Sequence, residues 1–202
     1  MPSAEAPLRR AAPGTAERNR LLAGLRRPPG EAARFLLGKI LVRRAGRRTL
    51  AARIVETEAY LGVDDPAAHA YGGRRTRRTE PLWGPPGTIY VYFIYGMHYC
   101  LNVAVEREGV PGCVLIRAAE PLGRLEPGSL RGPGRLCRTL RLDTSDSGRY
   151  IFDPASRLTL REGPPAARIG VSARVGIRQA ADRPLRFFDV DSGEVTSPGR
   201  AR

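Results

Sequence analysis

The spacing of apolar and polar positions divides the chain into short elements, most of them strands. Over 31–37 the apolar residues recur at helical spacing with Gly38 at the C-cap position, which predicts a short helix. A strand over 40–43 turning at Ala45-Gly46 follows. In LAARIVETEAY (50–60) a period of two places Ala52, Ile54, Glu56, Glu58 and Tyr60 on one face, with Arg53, Val55, Thr57 and Ala59 on the other. TIYVYFI (88–94) and YCLNVAV (99–105) are β-rich runs joined through Tyr95-Gly96-Met97-His98, the pattern of a hairpin with its tip at the glycine. GCVLIR (112–117) is expected to pair with them. Gly132-Pro133 opens a helix expected to reach Leu142, and further strands are predicted over 158–161, over 169–175 and at PLRFF near 186. The stretch 61–87 has no period, and a loop of that length inside one domain is either functional or disordered. Residues 1–27, rich in Ala, Arg and Pro, read as a flexible tail or one loose helix, leaving 28–202 as one domain. The predicted class is α+β with a mainly antiparallel sheet.

Composition narrows the partners. Lys+Arg 34 against Asp+Glu 20 gives a net charge of +14, and Lys39 is the only lysine, so nearly all the positive charge is guanidinium. Guanidinium binds phosphate through a planar fork, which makes a nucleic acid the leading partner, although an arginine-favouring codon bias produces the same charge. No apolar run approaches the roughly 20 residues that cross a bilayer and the start lacks the apolar centre of a secretory signal, so a cytoplasmic protein is expected. Cys100, Cys113 and Cys137 form no C-x-x-C pair, and His69 and His98 are not spaced as ligands beside them. No disulfide, metal or cofactor is expected.

Two clusters carry candidate chemistry. Tyr90, Tyr92, Tyr95 and Tyr99 crowd one hairpin, with Tyr60 and Tyr71 upstream. Tyrosines offer stacking platforms for bases, and they also fill β-rich cores; Tyr95, beside the tip glycine, has little core to join and is expected to point outward. Glu56 and Glu58 lie about 6.7 Å apart along a strand, a separation that suits an acid/base pair at a glycosidic bond and is equally common on a solvated face. Tyr60 on the same face, His69 nine residues beyond it and the arginines of 74–78 favour the chemical reading.

The run RIVETEAYLG-x-x-D-x-AAH, then GG-R-x-T, PGTIYVYFIYGMHYCLNV and VLIRAAEPL, resembles the methylpurine (alkyladenine, 3-methyladenine) DNA glycosylases of base-excision repair. GPGRLCRTL and ARVGI with RPLRFF extend the likeness from Pro29 to Phe188. The resemblance implies a single mixed domain around a curved antiparallel sheet, with a β-hairpin that enters the DNA minor groove. It implies a hydrolase on duplex DNA that flips a damaged purine out of the stack and cleaves its N-glycosidic bond. Because Lys39 matches no functional position and Pro2 heads a tail without the acidic neighbour a lyase needs, no amine for a lyase step is expected, and a monofunctional enzyme acting as a monomer is expected. Alkylated and deaminated purines of the 3-methyladenine, 7-methylguanine and hypoxanthine class are the implied substrates. By position, Glu58 matches the catalytic glutamate and Glu56 a neighbour without assigned chemistry. Tyr60, His69 and Tyr92 fall around the flipped base, Asn102 where a side chain disfavours the amino group of guanine, and Tyr95 where a side chain intercalates. Arg117 matches a residue that holds the flipped nucleotide, and Thr76, Met97, Arg135 and Gly176 match DNA contacts. His98 stands where vertebrate members carry a tyrosine, and the segment 120–132 is short where many members have an extra basic helix. The residues alone leave two alternatives: a non-catalytic binder of damaged DNA, and a carbohydrate glycosidase using Glu56 and Glu58.

Overall fold

The computed structural model of the protein describes residues 12–196. Its frame is a curled antiparallel sheet of β1 (Ile40–Ala45), β2 (Arg48–Tyr60), β3 (Ile89–Ile94), β4 (His98–Ala104), β5 (Cys113–Leu122), β6 (Leu158–Arg161), β7 (Ile169–Ser172) and β8 (Arg186–Asp189). The order is β3-β4-β5-β2-β1-β6, with β8 joined to β2 and β7 to β8. Three helices, α1 (Thr15–Leu25), α2 (Pro29–Leu36) and α3 (Pro133–Thr139), complete an α+β domain.

The 13-residue β2 organises the rest. Along one edge it pairs with β5, and along the other its first half pairs with β1 and its residues 56–58 with β8. Buried between neighbours, the stretch Ile54–Ala59 is closed to solvent on both faces, so Glu56 and Glu58 do not form a solvated face. The β2–β5 pairing passes from Glu56↔Ala118 to Thr57↔Ile116, which leaves Arg117 as the surplus residue of a bulge. A bulge bends its strand and re-aims the side chain it carries, and here that side chain is a guanidinium directed at two carboxylates.

Helix α2 begins at Pro29, whose missing N–H costs nothing at the first turn, and buries Ala32, Ala33 and Leu36. It packs on β2, where Thr57 Oγ1 donates to the Ala33 carbonyl at 3.0 Å, so Glu56 and Glu58 project from the opposite face. Gly38 closes the helix at φ +86, and a Cβ there would stand 2.1 Å from the Pro164 carbonyl oxygen, which makes glycine obligatory.

Residues 1–11 of the expected tail lie outside the described residues, and its remainder is mostly helix. In α1, Leu21 and Leu25 are fully buried, and Glu17 accepts from Arg161 Nε at 2.9 Å and from the Glu162 N–H at 2.8 Å. The stretch 61–87 is ordered by three single turns of 3-10 helix, Gly62–Asp64, Tyr71–Gly73 and Glu80–Trp83. Asp65 pins its start by accepting the N–H groups of Leu61 and Ala67 at 3.1 and 3.2 Å and by a buried ion pair with Arg174.

Candidate active site

Glu58 is fully buried at the C-terminal half of β2. Its Oε1 accepts the Val175 N–H at 2.7 Å and lies 3.4 Å from Arg117 Nη1, while its Oε2 accepts the Tyr60 hydroxyl at 3.0 Å. Burial pushes the carboxyl above the usual carboxylate range, against the opposing pull of Arg117, the Val175 N–H and the Tyr60 hydroxyl. A carboxylate so placed is a stronger proton acceptor than a solvated one, and it is held by three different segments. Tyr60 lies beneath the Arg174 guanidinium, 4.7 Å from its ring centre, and burial with the Glu58 charge raises its phenol well above the ordinary value. Tyr60 therefore stays a donor. Gly176, at φ +77, directly follows the residue whose N–H reaches Glu58.

Glu56 is spent differently. Among the described residues it accepts four hydrogen bonds, from Arg117, Arg186 and Thr196, three of them on Oε1, so it is held as an ion-paired carboxylate rather than one available as an acid or base.

Three rings form a second group. His69 Nδ1 and the Tyr90 hydroxyl share a hydrogen bond of 2.8 Å, His69 meets Tyr92 edge-on at 4.6 Å between centroids, and Tyr90 and Tyr92 lie 5.4 Å apart. Burial, helped by the charges of Arg78 and Arg74, pushes His69 down to about 4, so the imidazole is neutral near pH 7. The Arg78 guanidinium covers a face of Tyr92 at 5.3 Å. Tyr60 and Tyr92 pack against the small buried cluster that contains Tyr90, which joins the ring group to the carboxylate. Asn102 is buried beside Tyr90, donating from Nδ2 to its carbonyl at 3.2 Å. Next to the rings opens a cavity of about 340 Å³ lined by His69, Tyr71, Arg74, Thr76 and Arg78, among others, a size that suits a small ligand.

The hairpin of β3 and β4 ends in an apolar tip. Ile94 pairs with His98, the Met97 N–H donates to the Ile94 carbonyl at 3.3 Å, and Tyr95 and Gly96 have φ of +54 and +69. Tyr95 is 76% exposed and Met97 69%, an unusual setting for large apolar side chains. Gly134 of α3 lies against His98, with room for a Cβ only 3.0 Å from the imidazole, which puts exposed Arg135 beside the hairpin.

The structure thus gathers Glu58, Tyr60 and Arg117 into one cluster and His69, Tyr92 and Asn102 into an adjoining one. Tyr95 and Met97 stand at an exposed tip, Thr76 lines the cavity, and Arg135 and Gly176 are exposed. Sequence reading missed Arg174, Arg186 and Thr196, and it noted Arg78 only as one of the arginines of 74–78. The first two sit inside the motif runs ARVGI and RPLRFF, yet a carboxylate partner more than a hundred residues away leaves no local pattern.

Comparison with known proteins agrees with the geometry. The family model described as methylpurine-DNA glycosylase (MPG) matches residues 23–193. A relative from Koribacter versatilis (strain Ellin345) is 46% identical over 185 residues, 84% of this chain and 89% of its own length. One from Clostridium perfringens (strain SM101 / Type A) is 48% identical over 191 residues, 81% of this chain and 92% of its own. One from Myxococcus xanthus (strain DK1622) is 44% identical over 185 residues, 87% of this chain and 94% of its own. Each carries the provisional name 3-methyladenine DNA glycosylase. A match across most of the sheet, the carboxylate cluster and the hairpin leaves one assignment: the chain belongs to the methylpurine-DNA glycosylase family.

Proposed function

We propose that the protein is a monofunctional DNA glycosylase, working as a monomer, that hydrolyses the N-glycosidic bond of alkylated or deaminated purines flipped out of duplex DNA. The observation that carries this reading is a buried, proton-accepting Glu58 adjoining a nest of aromatic rings, with an exposed aromatic tip on the same β3–β4 hairpin.

N-glycosidic cleavage builds positive charge on the sugar. A carboxylate near C1′ stabilises that charge and accepts a proton from the attacking water. Glu58 does both, oriented by Tyr60 and the Val175 N–H. Purines alkylated at N3 or N7 are cationic leaving groups that pack on the electron-rich faces of tyrosines, here Tyr60 and Tyr92, beside a neutral His69. Asn102 lines this pocket, Arg117 holds the nucleotide near Glu58, and Thr76, Met97, Arg135 and Gly176 contact the DNA. Extrusion of a nucleotide costs a few kcal/mol, and Tyr95 offsets it by filling the gap in the stack.

A lyase step needs a free amine, and Lys39 is 3.0 Å from Glu162 with its ammonium over the Phe35 ring. A carbohydrate glycosidase needs a second free carboxylate, which Glu56 does not supply.

Duplex DNA treated with a methylating agent tests the reading. The wild type is expected to release free 3-methyladenine and 7-methylguanine, and Glu58→Gln to bind an abasic-site duplex while its excision falls by about 10²- to 10⁴-fold. Binding without release by the wild type would make the protein a damage binder.

A further inference from the structure

The cluster behind Glu58 holds more charge than one general base requires, and Glu56 is its centre. Glu56 is fully buried. Its Oε1 accepts from Arg117 Nε at 3.0 Å, Arg186 Nε at 2.7 Å and Thr196 Oγ1 at 2.7 Å, and its Oε2 accepts the Thr196 N–H at 2.7 Å. Arg186 is buried too, and its outer edge donates to Ser172 Oγ at 2.9 Å and to the Thr196 carbonyl at 2.7 Å. Thr196 lies beyond the span that matches the family model, so its part of the lock on Glu56 comes from outside that span.

We propose that Glu56 is the positioning residue of the glycosylase site: it grips the Nε edge of Arg117 so that Nη1 faces Glu58 without closing on it, and Arg186 and Thr196 fix Glu56 in that place. The inference rests on Glu58 being the general base. A charge-assisted N–H···O bond closes to about 2.7–2.9 Å when nothing competes. Arg117 makes its shorter contact with Glu56, at 3.0 Å, and stands at 3.4 Å from Glu58. Glu58 thus receives a stabilising charge while keeping its capacity to accept a proton. A guanidinium fully closed on Glu58 would take up the lone pairs that the water needs.

The signs of two substitutions follow. Glu56→Gln removes both the competitor for Arg117 and a like charge beside Glu58, so Glu58 titrates at lower pH. Its excision rate falls by about 10- to 100-fold. Thr196→Val deletes one donor to Glu56 Oε1, strengthens Glu56's hold on Arg117 and draws Arg117 from Glu58, so Glu58 titrates at slightly higher pH. The other groups facing Glu58, namely Tyr60 on β2, Arg186 on β8, Arg174 and Cys100, are the same in both variants.

Carboxyl-carbon NMR of isotope-labelled protein, with the Glu58 signal assigned through Glu58→Gln, reads these shifts directly. Single-turnover excision from methylated duplex DNA across the acid limb reads them in the rate. Opposite shifts in Glu56→Gln and Thr196→Val are expected. An unmoved Glu58 titration in both variants, or shifts of the same sign, would reduce Glu56 to a structural ion pair. Should Glu56→Gln fail to fold, Thr196→Val decides alone, and the absence of an upward shift overturns the proposal. A wild type that releases no base would overturn the glycosylase reading instead, while the NMR titration still reports whether Glu56 controls Glu58.

Discussion

His69 illustrates how a single side chain is tuned by what surrounds it. Burial and two neighbouring arginines hold the folded imidazole at about 4, whereas an unfolded histidine takes its proton near 6.5. The unfolded chain therefore binds the extra proton, so this group's contribution to stability is complete above pH 6.5 and is lost as the pH falls from 6.5 toward 4. Arg78 supplies the larger of the two charge effects and also covers a face of Tyr92, the place a cationic purine would take. Arg78→Ala should raise the His69 titration midpoint, read by imidazole NMR. It should also raise excision of 7-methylguanine relative to hypoxanthine by roughly fivefold, the worth of one cation–π contact of about 1 kcal/mol. A ratio that stays constant or falls would place Arg78 among the backbone contacts. Much at this scale was readable beforehand: Glu58 and Tyr60 lie on one strand face by the period of two, and their contact is observed. Arg78 was visible only as a member of the 74–78 cluster, and Arg174, Arg186 and Thr196 were not readable, because their roles come from chain segments brought together only by the curl of the sheet.

At the scale of elements, the β3–β4 hairpin holds its own tension. The turn closed by the Met97 N–H on the Ile94 carbonyl has positive φ at both central residues, a demand that Asn-Gly meets without strain. This chain has Tyr-Gly, with the tyrosine at φ +54, a placement that costs an L-aromatic roughly 1–3 kcal/mol. Nothing in the fold is gained in return, since the ring is 76% exposed. Tyr95→Asn is therefore expected to raise thermal stability, by about 1 kcal/mol, while slowing excision from a stable duplex base pair. The slowing should be far smaller for a lesion in single-stranded DNA, where no stack has to be replaced. A lower melting temperature would mean that the ring supports the hairpin. The turn itself and most strands could be predicted from alternation and the tip glycine, and β6 falls where it was expected, at Leu158–Arg161. The bulge at Arg117 could not, because a surplus residue in one strand is defined only by its partner's register. Nor did the pattern separate α1 from a loose tail: its apolar residues are few, and its order comes from Leu21, Leu25 and Glu17 docking on the domain.

For the whole molecule, the question is how much of the +14 charge faces DNA. Arginine serves two purposes here. Arg43 with Asp146, Arg53 with Glu120 and Asp189, and Arg174 with Asp65 are internal ion pairs that tie distant segments together. Arg135 is exposed on α3 beside the hairpin and is the arginine proposed for the other purpose, contact with DNA. The two groups separate in salt dependence, since each neutralised phosphate adds about −0.9 to the slope of log affinity against log salt. Arg135→Gln is expected to flatten that slope by about one and leave the melting temperature unchanged. Arg53→Gln should do the reverse: the slope stays, and stability falls by about 1–3 kcal/mol because part-buried Glu120 and buried Asp189 lose their shared partner. Titrations of an abasic-site duplex at several salt concentrations, alongside thermal melts, check both. If Arg53→Gln flattened the slope as much as Arg135→Gln, net charge alone would set DNA affinity, and the placement of individual arginines on the hairpin side would carry no information about the binding face.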